Sequence, residues 1–308
     1  MKDALVIVNP ASAGGRTGRT WHVIAATLRG AGFSFDSALT TAPGEATVLT
    51  RQALEDGWPM VVAAGGDGTV HEVVNGFFDE AGQAIACTTR MGVVPLGTGG
   101  DFRRTFDLPL ETRAAADVLV AGRTRRIDVG RVNFLGHDGK PGARIFCNIA
   151  DAGLGGEVVH HVNHGIRLGR GQLTFLLATA VSLLAWRNRR LRVEADGEVE
   201  ELTAQQAVVA NARYYGGGMC IAPGAEPDDG RLDLVLVGDV GKLENLRLLG
   251  PLREGRHLAG GFPITTRRVR RVTVEAETMV RVDADGEQPG RLPATFEVIP
   301  SALDLVVP

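Results

Sequence analysis

Met60-Val-Val-Ala-Ala-Gly-Gly-Asp-Gly-Thr-Val-His-Glu-Val-Val-Asn-Gly76 is the stretch on which the fold turns. Its first five residues form an apolar run of strand length, suited to a strand buried on both faces. Helical spacing begins at Val70. Between them, Gly65-Gly66-Asp67-Gly68-Thr69 makes a strand-to-helix turn in which the backbone can approach a ligand closely. The N–H groups that open the helix favour an anion. Asp67 lies inside that cradle, where a carboxylate makes sense if a cation such as Mg²⁺ accompanies a phosphate. Taken alone, the same string also reads as a glycine turn with an aspartate N-cap.

Working outward, short apolar runs alternate with helical stretches. Strands are predicted at 4–8, 33–39, 61–64 and 92–95, and helices at 17–30, 45–57, 70–78 and 111–121. Such alternation implies an α/β domain whose parallel sheet carries helices on both faces. Ligands gather at the carboxyl ends of strands in sheets of this type. Asn9-Pro10, the loop 65–69 and the loop 95–101 all follow strands, so all three open on that edge.

Past residue 123 the pattern changes. Strand-like runs follow one another at 126–133, 144–149, 191–195, 206–210, 232–237, 271–276, 279–282 and 295–299, many of them separated by Gly and Asp turns. A mostly antiparallel β-sandwich is expected. The chain is thus divided into 1–124 and 125–299, with segment 300–308 able to pack back on the first domain. The linker near Gly122 is short, which predicts domains facing each other across a cleft. One uncharged stretch interrupts the β region: residues 171–186, bracketed by Arg167, Arg170, Arg187, Arg189 and Arg190. It is shorter than the roughly 20 residues that span a bilayer. It reads either as a buried helix or as one lining an acyl-chain pocket, its arginines facing anionic headgroups.

Composition excludes several classes. A formal net charge of −3 and 5% aromatic residues give neither the basic surface nor the stacking platform of a nucleic-acid binder. Cys87, Cys147 and Cys220 are isolated, so no disulfide framework or zinc site is indicated. They suit a reducing cytoplasm, and the interrupted apolar run after Met1 is too short for a signal peptide. Lys2, Lys140 and Lys242 are the only lysines among 33 basic residues. None stands in a Walker-type loop, and no G-x-G-x-x-G follows an early strand.

Further loops carry polar chemistry. Asn9-Pro-Ala-Ser-Ala-Gly-Gly-Arg16 is a small-residue loop after the first strand. Val93-Val-Pro-Leu-Gly-Thr-Gly-Gly-Asp-Phe102 is a second glycine loop, bearing Asp101. Ile127-Asp128-Val-Gly130 places a third acid at the domain junction. Asp285-Gly286-Glu287 lies between strand-like runs and reads on its own as a hairpin turn.

In this order, the motifs N-P-x-[SA]-x-x-G, G-G-D-G-T, P-L-G-T-x-x-D-F, I-D-x-G and D-G-E resemble the diacylglycerol kinase catalytic-domain family, which includes soluble bacterial lipid kinases and is similar to sphingosine kinases. The resemblance covers nearly the whole chain. The segment from Asn211 to Pro223 and Asp229-Gly-Arg-Leu-Asp233 look like the signature of that family's C-terminal β domain. The resemblance implies a phosphofructokinase-like N-terminal domain and an ATP- and Mg²⁺-dependent kinase acting on a hydroxyl of a diacylglycerol-like lipid. It implies that Asp285 accepts the lipid's proton, with Glu287 near the nucleotide and its metal. Asn9, Pro10, Thr41, Gly65, Gly66, Asp67, Gly68, Thr69, Gly97 and Thr98 would line the nucleotide. Asp67, Asp101 and Asp128 would order Mg²⁺ through waters, and Glu226, Asp229 and the carbonyl of Arg231 would hold a structural cation. Peripheral membrane contact and a homodimer are further implications.

The chain departs from the family at Gly100-Asp101-Phe102, where N-D-F is usual. Loss of the amide predicts a looser loop, and Arg103 or Arg104 is a candidate to supply charge to phosphates in place of a P-loop lysine. Two alternatives remain open to the sequence. NAD kinases share the first glycine loop but carry a downstream Asn-Glu pair, and this chain has no Asn-Glu dipeptide. A non-catalytic lipid-binding module would be expected to have lost an acid, whereas Asp67, Asp101, Asp128, Asp285 and Glu287 are all in place.

Overall fold

A computed structural model describes residues 3–164, 181–183 and 185–308. Two compact units share them: Met1–Ile127 with Ser301–Pro308, and Asp128–Pro300.

In the first unit β1 (Ala4–Val8), β2 (Phe35–Leu39), β3 (Met60–Gly65) and β4 (Arg90–Pro95) form a parallel sheet in the order β2-β1-β3-β4. The chain's last strand joins β4, in parallel, with Leu305 opposite Met91. Helices α1 (Ser12–Gly30), α2 (Glu45–Glu55), α3 (Asp67–Gly76), α4 (Asp101–Thr105) and α5 (Thr112–Ala121) connect the strands. Every residue of β3 is buried, which explains its unbroken apolar run. One core layer joins Val6, Val8, Leu28, Val62, Val94, Leu119 and Val306.

The second unit is an antiparallel sandwich. It contains β5 (Thr124–Gly136), whose first residues belong to the first unit, β6 (Pro141–Phe146), β7 (Ile149–Gly153), α6 (Leu154–His164), β8 (Arg189–Ala195), β9 (Glu198–Ala204) and β10 (Gln206–Ala210). A short hairpin follows, β11 (Tyr214–Tyr215) and β12 (Met219–Cys220), then β13 (Leu232–Val237) and α7 (Lys242–Arg253). The last strands are β14 (Ile264–Val269), β15 (Arg271–Ala276), β16 (Arg281–Ala284) and β17 (Glu287–Val306). One layer runs β14-β13-β10-β7-β16-β17; β17 also pairs with β15 and β5, which extend to β8-β9 and to β6. Phe146, Val193, Val209, Leu234, Val274, Val282 and Phe296 fill the core.

Several boundaries move for physical reasons. The strand predicted at 144–149 is two strands, because the N–H groups of Cys147 and Asn148 leave the ladder to reach Asp285. The helix predicted from 111 begins at Thr112, since the Glu111 carboxylate caps it by accepting the N–H groups of Arg113 and Ala114. The helix predicted from 17 is preceded by Ala13, Gly14 and Gly15 at positive φ. Helices α4, α6 and α7 and strands β9 and β14 are additions to the predicted set. Apart from a few residues at its end, the uncharged segment 171–186 lies outside the described residues. Among the described residues, no helix is long and apolar enough to cross a membrane.

Candidate functional site

In the first unit, three loops meet at the carboxyl ends of β1, β3 and β4. Asn9 ties two of them: its backbone N–H donates to the Ala64 carbonyl (3.0 Å), its side-chain amide donates to Thr69 Oγ1 (3.1 Å), and its Oδ1 accepts the N–H of Ala11 (3.0 Å). Pro10 packs on Gly18, where an added Cβ would lie 2.9 Å from the proline's own. A Cβ at Gly65 would lie 2.3 Å from Thr69 Oγ1, and one at Gly97 only 2.4 Å from the Cα of Gly66. The two glycine loops therefore touch backbone to backbone. Gly68 and Thr98 are exposed beside that contact, and a Cβ at Gly68 would meet nothing within 4 Å.

Asp67 joins the loops through its carboxylate. Oδ2 accepts the N–H groups of Gly100 (2.7 Å) and Asp101 (3.3 Å), and Oδ1 accepts that of Phe102 (3.2 Å). Asp67 thus opens α3 while capping α4 from across the site. Gly100 sits at φ 70°, a left-handed conformation that glycine and asparagine both tolerate. Its N–H is pinned by Asp67, so the loop is held rather than loosened by the missing amide. Arg104 Nη1 donates to the Gly99 carbonyl (2.6 Å) and to Asp101 Oδ1 (3.1 Å), which folds its charge into the loop. Thr41 lies at the end of β2, where its hydroxyl and N–H donate to Glu45 Oε2. Its backbone N–H is the main cause that holds the Glu45 carboxyl below the ordinary range.

The second unit holds the remaining acids. Asp128 is buried; its Oδ2 accepts the N–H of Gly230 (2.7 Å), and its own N–H donates to the Pro227 carbonyl (2.6 Å). Asn211 donates from Nδ2 to the carbonyls of Asp128 and Cys147 (3.0 Å each). Asp285 and Gly286, at φ 52° and 88°, form the two-residue turn between β16 and β17. The Asp285 carboxylate accepts the N–H groups of Cys147 (2.7 Å), Asn148 (2.9 Å) and Ile149 (3.0 Å), plus the Cys147 thiol (3.3 Å). Glu287 is partly exposed, 3.9 Å from Arg144 Nε.

Glu226 and Asp229 both face Arg268, at 3.9 and 3.1 Å, and the Arg231 N–H donates to Asp229 Oδ1. Asp233 stands opposite Arg268 in the β13–β14 register. Burial pushes its carboxyl up to about 6, against the pull of that guanidinium. The group gathered around Arg268 is an ion-pair cluster. Among the described residues, no group of three or more His, Cys, Asp or Glu side chains gathers as metal ligands.

Three further features of the site are not legible in the sequence: the Cys147–Asn148–Ile149 backbone donors, the side-chain role of Asn211, which opens the 211–223 segment, and a buried pair of acids. Asp151 lies directly opposite Asp283 between β7 and β16. Burial raises the Asp151 carboxyl to about 7, offset in part by the N–H of Gly156. A Cβ at Gly155 would lie 1.9 Å from Asp151 Oδ2. The sequence signal for the pair was weak, because each aspartate sits within an otherwise apolar strand.

Residues 3–132 match the family model described as the diacylglycerol kinase catalytic domain, and residues 148–307 match that of the YegS C-terminal NAD kinase beta sandwich-like domain. The diacylglycerol kinase of Bacillus subtilis (strain 168) is 30% identical, over 100% of this chain and 97% of its own. That of Staphylococcus carnosus (strain TM300) is 26% identical, over 100% and 95%. A crystal structure from Bacillus anthracis str. Sterne superposes with a TM-score of 0.78 at 23% identity, covering 100% of this chain and 98% of the other.

Proposed function

The chain belongs to the family of the diacylglycerol kinase catalytic domain, and from that membership we propose that it is a lipid kinase. It transfers the γ-phosphate of ATP, in the presence of Mg²⁺, to a hydroxyl of a diacylglycerol-like lipid. The observation that carries the nucleotide half of this reading is the backbone contact of Gly66 with Gly97. Two glycine loops in contact, at the carboxyl edge of a parallel sheet, leave room for a phosphate to approach main-chain N–H groups. Asn9 and Thr69 tie the loops after β1 and β3 to each other, and Gly68 and Thr98 lie beside the glycine contact.

The acids fit a cation held through water rather than by direct ligation. Asp67 already accepts three N–H groups, Asp101 accepts Arg104, and Asp128 accepts Gly230. A hydrated Mg²⁺ keeps several of its waters, so each of these carboxylates can accept from such a water without releasing its loop. When bound, the ion would neutralise charge on the phosphates. Asp67 then has two duties, capping α4 and fixing the distance between the two glycine loops.

Asp285 is the proposed acceptor of the lipid hydroxyl's proton. All four lone-pair positions of its carboxylate are engaged, the thiol of Cys147 being the weakest donor among them. A substrate hydroxyl replaces that thiol at Oδ2, while the three backbone N–H bonds keep the carboxylate oriented. Glu287, beside Arg144, is assigned to the nucleotide and its metal. Because the substrate is membrane-borne, the enzyme works in peripheral contact with a bilayer.

A panel of diacylglycerol, phosphatidylglycerol and sphingoid bases, incubated with γ-labelled ATP or GTP and Mg²⁺ and read by mass spectrometry, tests the proposal. Phosphate on a lipid hydroxyl is the expected result. No transfer to any lipid, combined with tight lipid binding, would overturn it in favour of a non-catalytic binding module.

A further inference from the structure

Helix α7 in the second unit carries leucines on two sides. Its inner side, Asn245, Leu248 and Leu252, is buried; both leucines belong to the core cluster that includes Ile149, Val208 and Val235. Its outer side carries Leu243, Leu246 and Leu249, which are 73%, 65% and 42% exposed. The three recur at a spacing of three residues and form one stripe. Leu258, in the turn that follows, is also exposed. Such a stripe forgoes a substantial gain from burial, and contiguous exposed apolar surface marks an interaction site.

The charges around the stripe identify its occupant. Lys242, Arg247 and Arg253 are exposed along it. Of the acids nearby, Glu254 pairs with Arg256, and Glu244, which accepts the N–H of Gly241 (2.8 Å), offsets one positive charge, so the helix stays net cationic. A second copy of the chain, joined about a two-fold axis, would bring this cationic set against itself. An anionic bilayer complements both the leucines and the basic residues, the pattern of a helix that lies in the membrane interface.

We propose that the outer face of α7, Leu243-Leu246-Leu249 with Lys242, Arg247 and Arg253, is the surface by which this protein docks on anionic lipid bilayers. The inference rests on the reading that its substrate resides in a membrane. The leucines enter the headgroup–acyl boundary, and the basic side chains remain at the level of the lipid phosphates. No residue assigned to phosphate transfer lies on this helix, so docking and chemistry are separable by mutation.

The full chain, as wild type, L243S/L246S and R247Q/R253Q, is sedimented with phosphatidylcholine vesicles with and without phosphatidylglycerol. Transfer to a water-soluble short-chain diacylglycerol is measured in parallel. The leucine variant is expected to lose vesicle partitioning by more than about tenfold. The arginine variant is expected to lose the preference for phosphatidylglycerol and its sensitivity to salt. Both keep transfer to the soluble lipid. Unchanged partitioning of both variants overturns the docking surface, as does a leucine variant that breaks a dimer while binding vesicles normally. If wild type binds vesicles through Leu243 and Leu246 yet phosphorylates no soluble lipid, the kinase reading fails and the docking surface stands.

Discussion

Asp151 faces Asp283 across the β7–β16 register, both side chains buried in the sandwich. Burial keeps a proton on Asp151 up to about pH 7, against an ordinary value of 3.8. The folded state therefore binds more protons than the unfolded chain between those limits, and stability falls as pH rises through them. A shift of roughly three units corresponds to a few kcal/mol, about 1.4 per unit. Asp151→Asn should flatten this slope and raise the melting temperature at pH 8 relative to wild type. Melting curves at pH 5 and pH 8 check it, and a variant that tracks wild type at both would show that the pair carries no such cost. Asp233, also raised by burial, adds a smaller slope of the same sign.

His257 supplies the opposing limb. It is fully buried, its Nε2 lies 3.0 Å from the Ile221 carbonyl, and burial holds its pKa below the ordinary 6.5. The unfolded chain takes up the proton first, so stability drops as pH falls below about 6.5, by at most about 1.4 kcal/mol per unit. Replacing it by glutamine, which keeps a polar contact but does not titrate, should remove this acid-side loss. Denaturant titrations at pH 7 and pH 5 with wild type and His257→Gln measure the difference directly.

The parts of this molecule that were legible in sequence are those fixed by local chemistry. The turn after β3 could be read because glycines, Asp67 and helical spacing are adjacent along the chain. Strands β10, β13 and β15 could be read from apolar runs bounded by turn residues. By contrast, the break between β6 and β7 is caused by Asp285, which lies 138 residues beyond Cys147. The pairing of Asp151 with Asp283 is likewise a product of register. Helix α7 escaped because Gly250 and Pro251 are helix breakers in its sequence and its leucines fall on two sides, so no single apolar face stands out. The second role of Asp67, capping α4, depends on a contact across 33 residues of sequence.

That second role makes Asp67 informative to mutate. Asp67→Ala removes the acceptor for three N–H groups and should cost about 1–2 kcal/mol, as loss of a helix cap does. Asp67→Asn keeps one oxygen acceptor and should restore part of that stability. If the carboxylate also orders a hydrated cation, transfer activity stays low in both variants, since an amide brings no charge. Stability by thermal melt and turnover against Mg²⁺ concentration separate the duties. Recovery of full turnover in Asp67→Asn would reduce Asp67 to a cap.

Asp285 is held by three backbone N–H groups, so its replacement tests catalysis and architecture together. In Asp285→Asn, only one of the two side-chain heavy atoms can still accept, and an amide N–H faces a backbone N–H. A cost of about 1–3 kcal/mol follows from one unmatched donor. Loss of the proton acceptor should lower turnover by roughly 10²–10⁴-fold with little change in nucleotide affinity. Cys147→Ala is the companion variant. It deletes the thiol donor at Oδ2 while leaving the backbone N–H, and the site proposed for the lipid hydroxyl is then already vacated. Turnover in Cys147→Ala should be maintained or raised, with KM for the lipid lowered. A strong fall in turnover there, with stability intact, would place the hydroxyl elsewhere and remove Asp285 from the reacting atoms.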